Sequence, residues 1–196
     1  MGLFSNDNAK IEKLQRKVKK KLDDRRYRHS IGVCYTAASL AMRYNEDMED
    51  ALIAGILHDC AKYMKDEAIL KKAVELHVPL TTTEQLNPDL IHAKLGAHLA
   101  YSEYKIKDEN ILNAISFHTT GRPNMSMLEK IIFVSDYIEP MRNKAKELEV
   151  IRNEAFTDID KAVWHITANT LTYLHSHNKV IDEMTIETNK FYSNKK

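Results

Sequence analysis

A histidine and an aspartate, His58 and Asp59, stand side by side directly after the apolar run of residues 51–57. A carboxylate taken out of water is costly unless a cation or a set of hydrogen-bond donors receives it. The adjacent imidazole suggests that this cation is a metal ion. An isolated His-Asp pair is more often a buried hydrogen bond, so the metal interpretation depends on the rest of the chain.

Other metal-capable side chains are scattered along the chain at helix-compatible positions. First-row transition metals accept imidazole and carboxylate ligands, and a site built from separate helices draws its ligands from distant parts of a sequence. The chain has no Cys-x-x-Cys pair and no His-Glu-x-x-His segment, which argues against a compact zinc site and against helical zinc proteases. The additional candidates are His29, His92, His118 and Asp136.

Asp136 interrupts an apolar stretch between Val134 and Ile138, where an unpaired carboxylate would be unfavourable. Cations accompany these candidates: Lys62 completes His-Asp-x-x-Lys, and Arg26 stands three residues before His29, on the same helical face. Hydrolysis of phosphate compounds requires cations around the phosphorus and a nucleophile available near neutral pH. An arginine beside a candidate metal ligand therefore suggests a phosphate group at the site.

The histidines at 92 and 118 have two possible roles, either binding a second metal or contacting phosphate. His118 is followed by Thr119, Thr120, Gly121 and Arg122, which offer hydroxyl, backbone and guanidinium donors to an anion. His92 follows a helix start at Asn87-Pro88 and could instead be a capping or surface histidine. The sequence does not separate these roles.

The segments that carry these residues are predicted to be helices. Asp47, Asp66 and Asp108 are expected to begin three of them as N-caps, and Thr157 or Asp158 to begin the longest. Ser126 and Glu129 form a capping box, which predicts a helix to Glu139, ended by Pro140, despite its β-branched residues. No Asn-Gly or Asp-Gly hairpin turn is present, so the predicted fold class is all-α.

Length and composition predict one compact domain spanning residues 1–196. The chain has only five Gly and four Pro, without a linker or a repeat. Residues 1–28 carry ten Lys or Arg against four Asp or Glu, but the net charge is +1. Apolar residues at helical spacing favour a basic helix in residues 1–24 that packs on the domain or extends from it, so nucleic-acid binding is unlikely. These residues are Ile11, Leu14, Val18 and Leu22.

The chain shows no signal peptide and no run of the roughly 18 apolar residues that would span a bilayer, so we expect a cytoplasmic protein without membrane contact. Cys34 and Cys60 are expected to be reduced and buried. His77, His98, His165, His175 and His177, with Trp164, are expected to be packing or surface residues rather than ligands.

The ordered set His29, His58-Asp59, His92, His118 and Asp136 resembles the metal-dependent phosphohydrolases of the HD superfamily. Four stretches are similar to its YqeK-type branch, the symmetrical bis(5′-nucleosyl)-tetraphosphatases. They are residues 58–62, 91–97, 114–121 and 136–140, with Arg142 beyond the last. Members of that branch are all-α proteins that bind iron and split diadenosine tetraphosphate into two ADP.

The resemblance implies a compact helical HD-domain fold with a metal site in the core of the helix bundle. It implies a divalent or trivalent metal, iron above others, with a second metal left open, and a homodimer acting on a small nucleotide. The implied metal ligands are His29, His58, Asp59 and Asp136, and the catalytic residues are Asp59, Lys62, His92 and His118. The implied substrate contacts are Arg26, Lys62, His92, His118, Thr119, Asp136 and Arg142, with residues 179–184 near the base.

Two other classes of function stay open at this point. One is a different HD phosphohydrolase activity, such as that of a nucleotidase, an alarmone hydrolase or a cyclic-nucleotide phosphodiesterase, because the His-Asp pair is common to all of them. The other is an HD protein that binds a nucleotide or RNA without turnover, for which the basic N-terminal segment is the only hint.

Overall fold

The computed structural model describes residues 3–195, with side chains from residue 9, so residues 1, 2 and 196 of the expected domain lie outside it. Within residues 3–195 the chain forms helices and no strand, as predicted. The helices are α1 (Leu3–Lys19), α2 (Asp24–Tyr44), α3 (Met48–Leu57), α4 (Asp66–Glu75), α5 (Thr82–Leu86), the 3₁₀ turn Pro88–Leu90, α6 (Ile91–Ser102), α7 (Glu109–Ser116), α8 (Met127–Ile138), α9 (Leu148–Thr157), α10 (Ile159–Ser176) and α11 (Glu183–Ser193).

Side-chain caps begin most of the helices that the sequence predicted. Asp47, Asp108 and Asp158 each accept a backbone N–H in the first turn of α3, α7 and α10. The capping box of Ser126 and Glu129 is formed at the start of α8. A cap satisfies N–H groups that have no partner inside the helix, which is why these starts can be read locally.

Two expectations about the helices were wrong. Asp66 is the first residue of α4 rather than its N-cap, because Lys65 takes the extended cap position without a side-chain hydrogen bond. The longest helix is α2, with 21 residues against 18 in α10. It extends from the cap at Asp23 to Asn45, whose left-handed φ of 54° ends it.

The core is centred on α2 and α3, which pack against each other and against α8. Gly55 allows this close approach, since a Cβ there would lie 2.7 Å from the Cα of Cys34. Leu40, Ile53 and Ile56 are fully buried around the contact, and each such side chain contributes roughly 1.5–3 kcal/mol. A rigid, dry framework therefore surrounds the end of α3, where the His-Asp pair lies.

Helix α1 packs against α3 through its apolar face. Its residues Ile11, Leu14 and Val18 are buried, and so is Leu22 beyond its end.

Cys34 and Cys60 are buried and free, as expected. No helix in the described part of the chain is long and apolar enough to cross a membrane.

Candidate metal centre

The helix ends bring six metal-capable side chains together, and we call this set the His/Asp cluster. His58 is the C-cap of α3, and Asp59 follows it in the turn. Adjacent imidazole rings lie edge to face, with centroids 5.0–5.3 Å apart. All members but Asp136 are buried. The cluster consists of His29 on α2, His58, Asp59, His92 on α6, His118 after α7 and Asp136 on α8.

Each imidazole in the cluster is oriented by a hydrogen bond at Nδ1. Nδ1 of His58 donates to the carbonyl of Gly55 at 2.7 Å, and Nδ1 of His118 donates to that of Ile115 at the same distance. His92 makes the equivalent bond to the carbonyl of Asp89. Because a neutral imidazole carries one proton, these bonds leave Nε2 of each ring as a lone pair facing the cluster.

His29 is oriented by a carboxylate instead of a carbonyl. Its Nδ1 lies 3.1 Å from Oε1 of Glu139, a residue that is 1% exposed. An imidazole that donates to a carboxylate on one side is a stronger base on the other, which is the usual support of a metal-binding histidine. Glu139 also accepts the backbone N–H of Met141 at 2.7 Å, so its carboxylate is held in place from the turn after α8.

The Nε2 atoms of the cluster face one another at distances that suit a shared cation. Nε2 of His58 lies 3.3 Å from that of His29, and Nε2 of His92 lies 3.0 Å from that of His118. Two unprotonated nitrogens this close repel each other unless a positive charge lies between or beside them. The donor set of imidazole nitrogens and carboxylate oxygens therefore fits a first-row transition metal.

Asp59 divides the cluster through its two oxygens. Oδ2 lies 3.5 Å from Nε2 of His58 and 3.8 Å from Nε2 of His29, whereas Oδ1 lies 3.3 Å from Nε2 of His92 and 3.7 Å from Nε2 of His118. Two three-residue groups in the cluster could hold an ion, and His58 belongs to both: His29, His58 and Asp136 form one, and His58, Asp59 and His118 form the other.

Asp136 closes the first of these groups. Its Oδ1 lies 2.9 Å from Nε2 of His29 and 3.9 Å from Nε2 of His58. The guanidinium of Arg142 donates to the same oxygen at 2.9 Å, and that of Arg26 donates to Oδ2 of Asp59 at 2.7 Å. Both arginines thus lie at the edge of the cluster, where they can also meet an anion.

The electrostatics of the cluster keep its carboxylates ionised. Burial acts to raise the pKa of Asp59, but His58, His118 and His92 hold that pKa well below its usual range. The pKa of Asp136 is also lowered against the effect of burial, chiefly by the hydrogen bond from His29 and then by His58 and Arg142. A pair of carboxylates held as anions in a buried site supplies negative charge for a cation.

The histidines divide by their surroundings. Burial lowers the pKa of His92 to about 3, so this ring is neutral at pH 7. Burial acts in the same direction on His29, but Asp136 and Glu139 overcome it and raise the pKa of that ring. The side of the cluster with two carboxylates, Asp136 and Glu139, is therefore the side that attracts positive charge more strongly.

Lys62 lies apart from the cluster in the structure. Its Nζ donates to Oδ1 of Asp89 at 2.6 Å, although the lysine side chain is only 15% exposed. Asp89 thus holds Lys62 through its carboxylate and His92 through its carbonyl. A lysine held at the rim in this way can turn to a substrate phosphate, since Asp89 itself is 71% exposed.

Thr119 has a buried hydroxyl oxygen without a hydrogen-bond partner in residues 9–195. A buried hydroxyl without a partner is unfavourable, so a bound polar ligand is one way to satisfy it. The segment of residues 179–184 precedes and opens α11, which contacts the turn after His118: a Cβ on Gly121 would meet Thr188 of α11 at 2.8 Å. Sequence reasoning did not predict α11.

Glu139 and Gly32 are the site residues whose roles sequence reasoning missed. A Cβ at Gly32 would lie 2.4 Å from Oε2 of Glu139, so glycine leaves the room that this carboxylate occupies. The only sequence signal was an acidic residue directly before Pro140 in the stretch that contains Asp136. Nothing local indicates that Glu139 faces a histidine 110 positions earlier in the chain.

The remaining histidines lie outside the cluster, as expected. His77 is exposed, with a left-handed φ of 54°, and His98 is half-buried on α6. His165 links α10 to two glutamates, with Nδ1 2.9 Å from Glu154 and Nε2 3.2 Å from Glu147. His177 donates from Nδ1 to the carbonyl of Tyr173.

Known proteins are similar to this chain over most of its length. A model of the HD domain matches residues 26–141. The "Bis(5′-nucleosyl)-tetraphosphatase, symmetrical" of Halalkalibacterium halodurans is 42% identical over 87% of this chain and 90% of its own, and the protein of the same name from Bacillus subtilis is 40% identical over 84% and 87%.

A solved structure has the same fold. It is the crystal structure of a "predicted HD superfamily hydrolase involved in NAD metabolism" from Clostridium acetobutylicum. It superposes with a TM-score of 0.90 at 40% sequence identity, and covers 94% of this chain and 97% of that one. The match extends beyond the HD-domain region to almost all of the helices described above.

Proposed function

Because this chain belongs to the HD-domain family, we propose that it is a metal-dependent hydrolase that cleaves diadenosine tetraphosphate symmetrically into two ADP. The names of the relatives from Halalkalibacterium halodurans and Bacillus subtilis support the substrate. The all-helical HD fold and its buried His/Asp cluster support hydrolysis.

The observation that carries the proposal is the convergence of four Nε2 atoms on one buried carboxylate, that of Asp59. His29, His58, Asp59 and Asp136 would hold the metal, since their Nε2 and carboxylate oxygens lie 2.9–3.9 Å apart. A metal ion bound there would supply charge stabilisation for a phosphoryl group and a nucleophile at neutral pH.

The chain's own residues would bind and orient the polyphosphate. Arg26 and Arg142 stand at the two edges of the cluster and can each donate two N–H groups to phosphate. Lys62 adds a charge at the rim, and the buried Thr119 hydroxyl offers a donor beside His118. Cations around the phosphorus lower the repulsion that an approaching nucleophile meets.

His92 and His118 would serve the attacking water or the phosphate. His92 keeps Nε2 unprotonated at pH 7, because burial lowers its pKa to about 3 and its Nδ1 proton is bound by the carbonyl of Asp89. That nitrogen can accept a hydrogen bond from water and hold it in line with the bond that breaks.

The position of cleavage tests the proposal. Water attacks one of the two central phosphorus atoms, the bridging P–O bond between them breaks, and both halves leave as nucleoside diphosphates. In oxygen-18 water we expect ADP as the only product, with the label in the terminal phosphate of one ADP of each pair. Diguanosine tetraphosphate should give GDP alone, since the contacts are mainly to phosphate. AMP and ATP as primary products would contradict the symmetrical cut.

The metal is proposed to be iron, in agreement with the family resemblance. Metal analysis of purified protein should find iron, with loss of turnover on chelation and recovery on addition of iron. If the analysis finds one metal ion per chain, His92 and His118 contact the substrate. If it finds two, these histidines bind the second ion. Activity that needs no metal would refute the metal-dependent mechanism.

A nucleotide panel separates the other functions. The enzyme would have a different HD phosphohydrolase activity if it cleaved mononucleotides, alarmones or cyclic nucleotides with a higher kcat/KM than diadenosine tetraphosphate. Tight binding of a nucleotide or RNA without any product would indicate a binding protein.

We further propose a cytoplasmic homodimer, for which light scattering of the purified protein should give twice the chain mass of 22.6 kDa.

A further inference from the structure

A cavity of about 890 Å³ opens beside the His/Asp cluster, within the size range of roughly 300–1,000 Å³ usual for small-molecule sites. Three segments form its walls: the first turns of α2, the end of α8 with the loop that follows it (residues 137–146), and the second half of α10. The cavity adjoins the cluster, because His29 of the cluster lines it together with Arg26 and Arg142, which are bonded to Asp59 and Asp136. We call it the basic cavity.

The charge of the basic cavity is strongly positive. Five cations line it against one carboxylate, Glu139, which is already bonded to His29 and to the backbone of Met141. The chain as a whole has a net charge of only +1, so this concentration is local. A concave surface lined by one sign of charge attracts ligands of the opposite sign. The five cations are Arg25, Arg26, Arg142, Lys144 and Lys146.

Two of these cations have no acidic partner in residues 9–195. Arg26 is bonded to Asp59, Arg142 to Asp136 and Lys146 pairs with Glu147, but the structure records no side-chain hydrogen bond or ion pair for Arg25 or Lys144. Both belong to the walls of the basic cavity, one on α2 and one on the loop after α8. Unpaired cations on two separate segments of one cavity are suited to an anion that carries several charges.

The loop wall is held in shape by Arg152 of α9. Its guanidinium donates to the carbonyls of Ile138, Glu139 and Arg142 at 3.0–3.1 Å. The loop that carries Arg142 and Lys144 is therefore tied to the helical framework. Another wall includes Tyr173 of α10, a residue that is 54% exposed and whose ring packs on His177 with centroids 4.1 Å apart.

A dinucleoside tetraphosphate has two nucleoside diphosphate halves, and the proposed contacts of His118, Thr119 and residues 179–184 account for only one. Resting on the proposed function, we infer that the basic cavity binds the other half. Arg25 and Lys144 contact its phosphates, and Tyr173 stacks on its base. A mononucleotide would use one of the two subsites, so the basic cavity would give the enzyme its preference for dinucleotides.

The test uses purified wild-type protein and the double variant Arg25→Ser/Lys144→Ser. We expect its KM for diadenosine tetraphosphate to rise about tenfold or more while kcat stays within twofold, since neither residue touches the cluster. Calorimetric titration with ADP should find two sites per chain in the wild type and one in the double variant. Tyr173→Ala should raise KM without changing the position of cleavage.

Lys13→Ser is the matched control, since it removes an exposed positive charge on α1 outside the basic cavity. A double variant with the KM and ADP stoichiometry of this control would overturn the inference. The ADP titration does not depend on turnover. If the wild-type protein hydrolyses no dinucleotide, the proposed function is refuted. If the double variant nevertheless binds one ADP fewer than the wild type, the inference about the basic cavity still holds.

Discussion

The His/Asp cluster and the basic cavity are neighbours with opposite construction. In the cluster every imidazole is oriented by a hydrogen bond at Nδ1, and the carboxylate of Asp59 is almost fully enclosed. In the basic cavity Arg25 and Lys144 are exposed and have no partner within the described part of the chain. Fixed geometry suits bond breaking, whereas mobile surface charges suit capture of a flexible polyphosphate. Substitutions in the two regions should therefore fail in different ways.

The largest effect is expected at Asp59, which both halves of the cluster share. Asp59→Asn keeps the shape of the side chain but removes the buried charge. Bound metal and turnover should be lost together, with kcat reduced by more than the roughly 100-fold that changes around metal ligands can cost. Metal analysis and kinetics test this on protein shown to be folded by circular dichroism. A folded variant with full metal content would disprove the assignment of Asp59 as a ligand.

Lys62 should separate binding of metal from binding of substrate. Its Nζ donates to Asp89 rather than to a side chain of the cluster. Lys62→Ala should therefore retain the metal and lose about 100-fold in kcat, as when one donor to a developing negative charge is removed. Asp89→Asn is the companion variant, because it removes the charge that pairs with Lys62 but preserves the carbonyl that orients His92. If Lys62→Ala has unchanged kcat and KM, Lys62 has no role in substrate binding and only forms an ion pair with Asp89.

Glu139 should tune the metal site without touching the substrate. Glu139→Gln weakens the hydrogen bond to Nδ1 of His29, so metal affinity should fall by roughly 10- to 100-fold while the fold is kept. Gly32→Ala should act in the same direction, because its Cβ would displace the Glu139 carboxylate.

Gly96→Ala is the control for Gly32→Ala. Its added Cβ would find neighbours no nearer than 3.5 Å, an ordinary contact, so metal affinity should not change. Competition with a chelator of known affinity measures all three variants. If Gly32→Ala and Gly96→Ala bind metal equally well, the carboxylate of Glu139 does not depend on the space at Gly32.

Salt should have the smallest effect, and should act on the basic cavity alone. The Debye length shortens from about 10 Å at 0.1 M to about 3 Å at 1 M ionic strength, which screens exposed charges such as Arg25 and Lys144 but hardly affects buried groups. KM should therefore rise several-fold with added potassium chloride while kcat stays constant. The rise should be weaker in Arg25→Ser/Lys144→Ser. An equal dependence in wild type and variant would show that these two cations do not contribute to capture.

Helix starts and the residue types of the His/Asp cluster could be predicted from the sequence because both are local properties of the chain. The caps at Asp47, Asp108 and Asp158 act on N–H groups two or three residues away. The HD-type order of histidines and aspartates is likewise a property of the chain. The misplaced cap at Asp66 has a local cause as well, since two adjacent residues compete for the cap and Lys65 adopts the extended conformation it requires.

Tertiary packing decided how those residues meet. The bond from His29 to Glu139 joins residues 110 positions apart, and the pairing of Lys62 with Asp89 joins residues 27 positions apart. The division of the cluster by Asp59 depends on the direction in which that side chain turns. The walls of the basic cavity come from three separate elements, and no local pattern marks Arg25 or Lys144. The sequence by itself determined the chemistry and the helices that carry it, because these follow from spacing along the chain. Distances, tautomers and cavities followed only from packing, because they depend on the relative positions of helices.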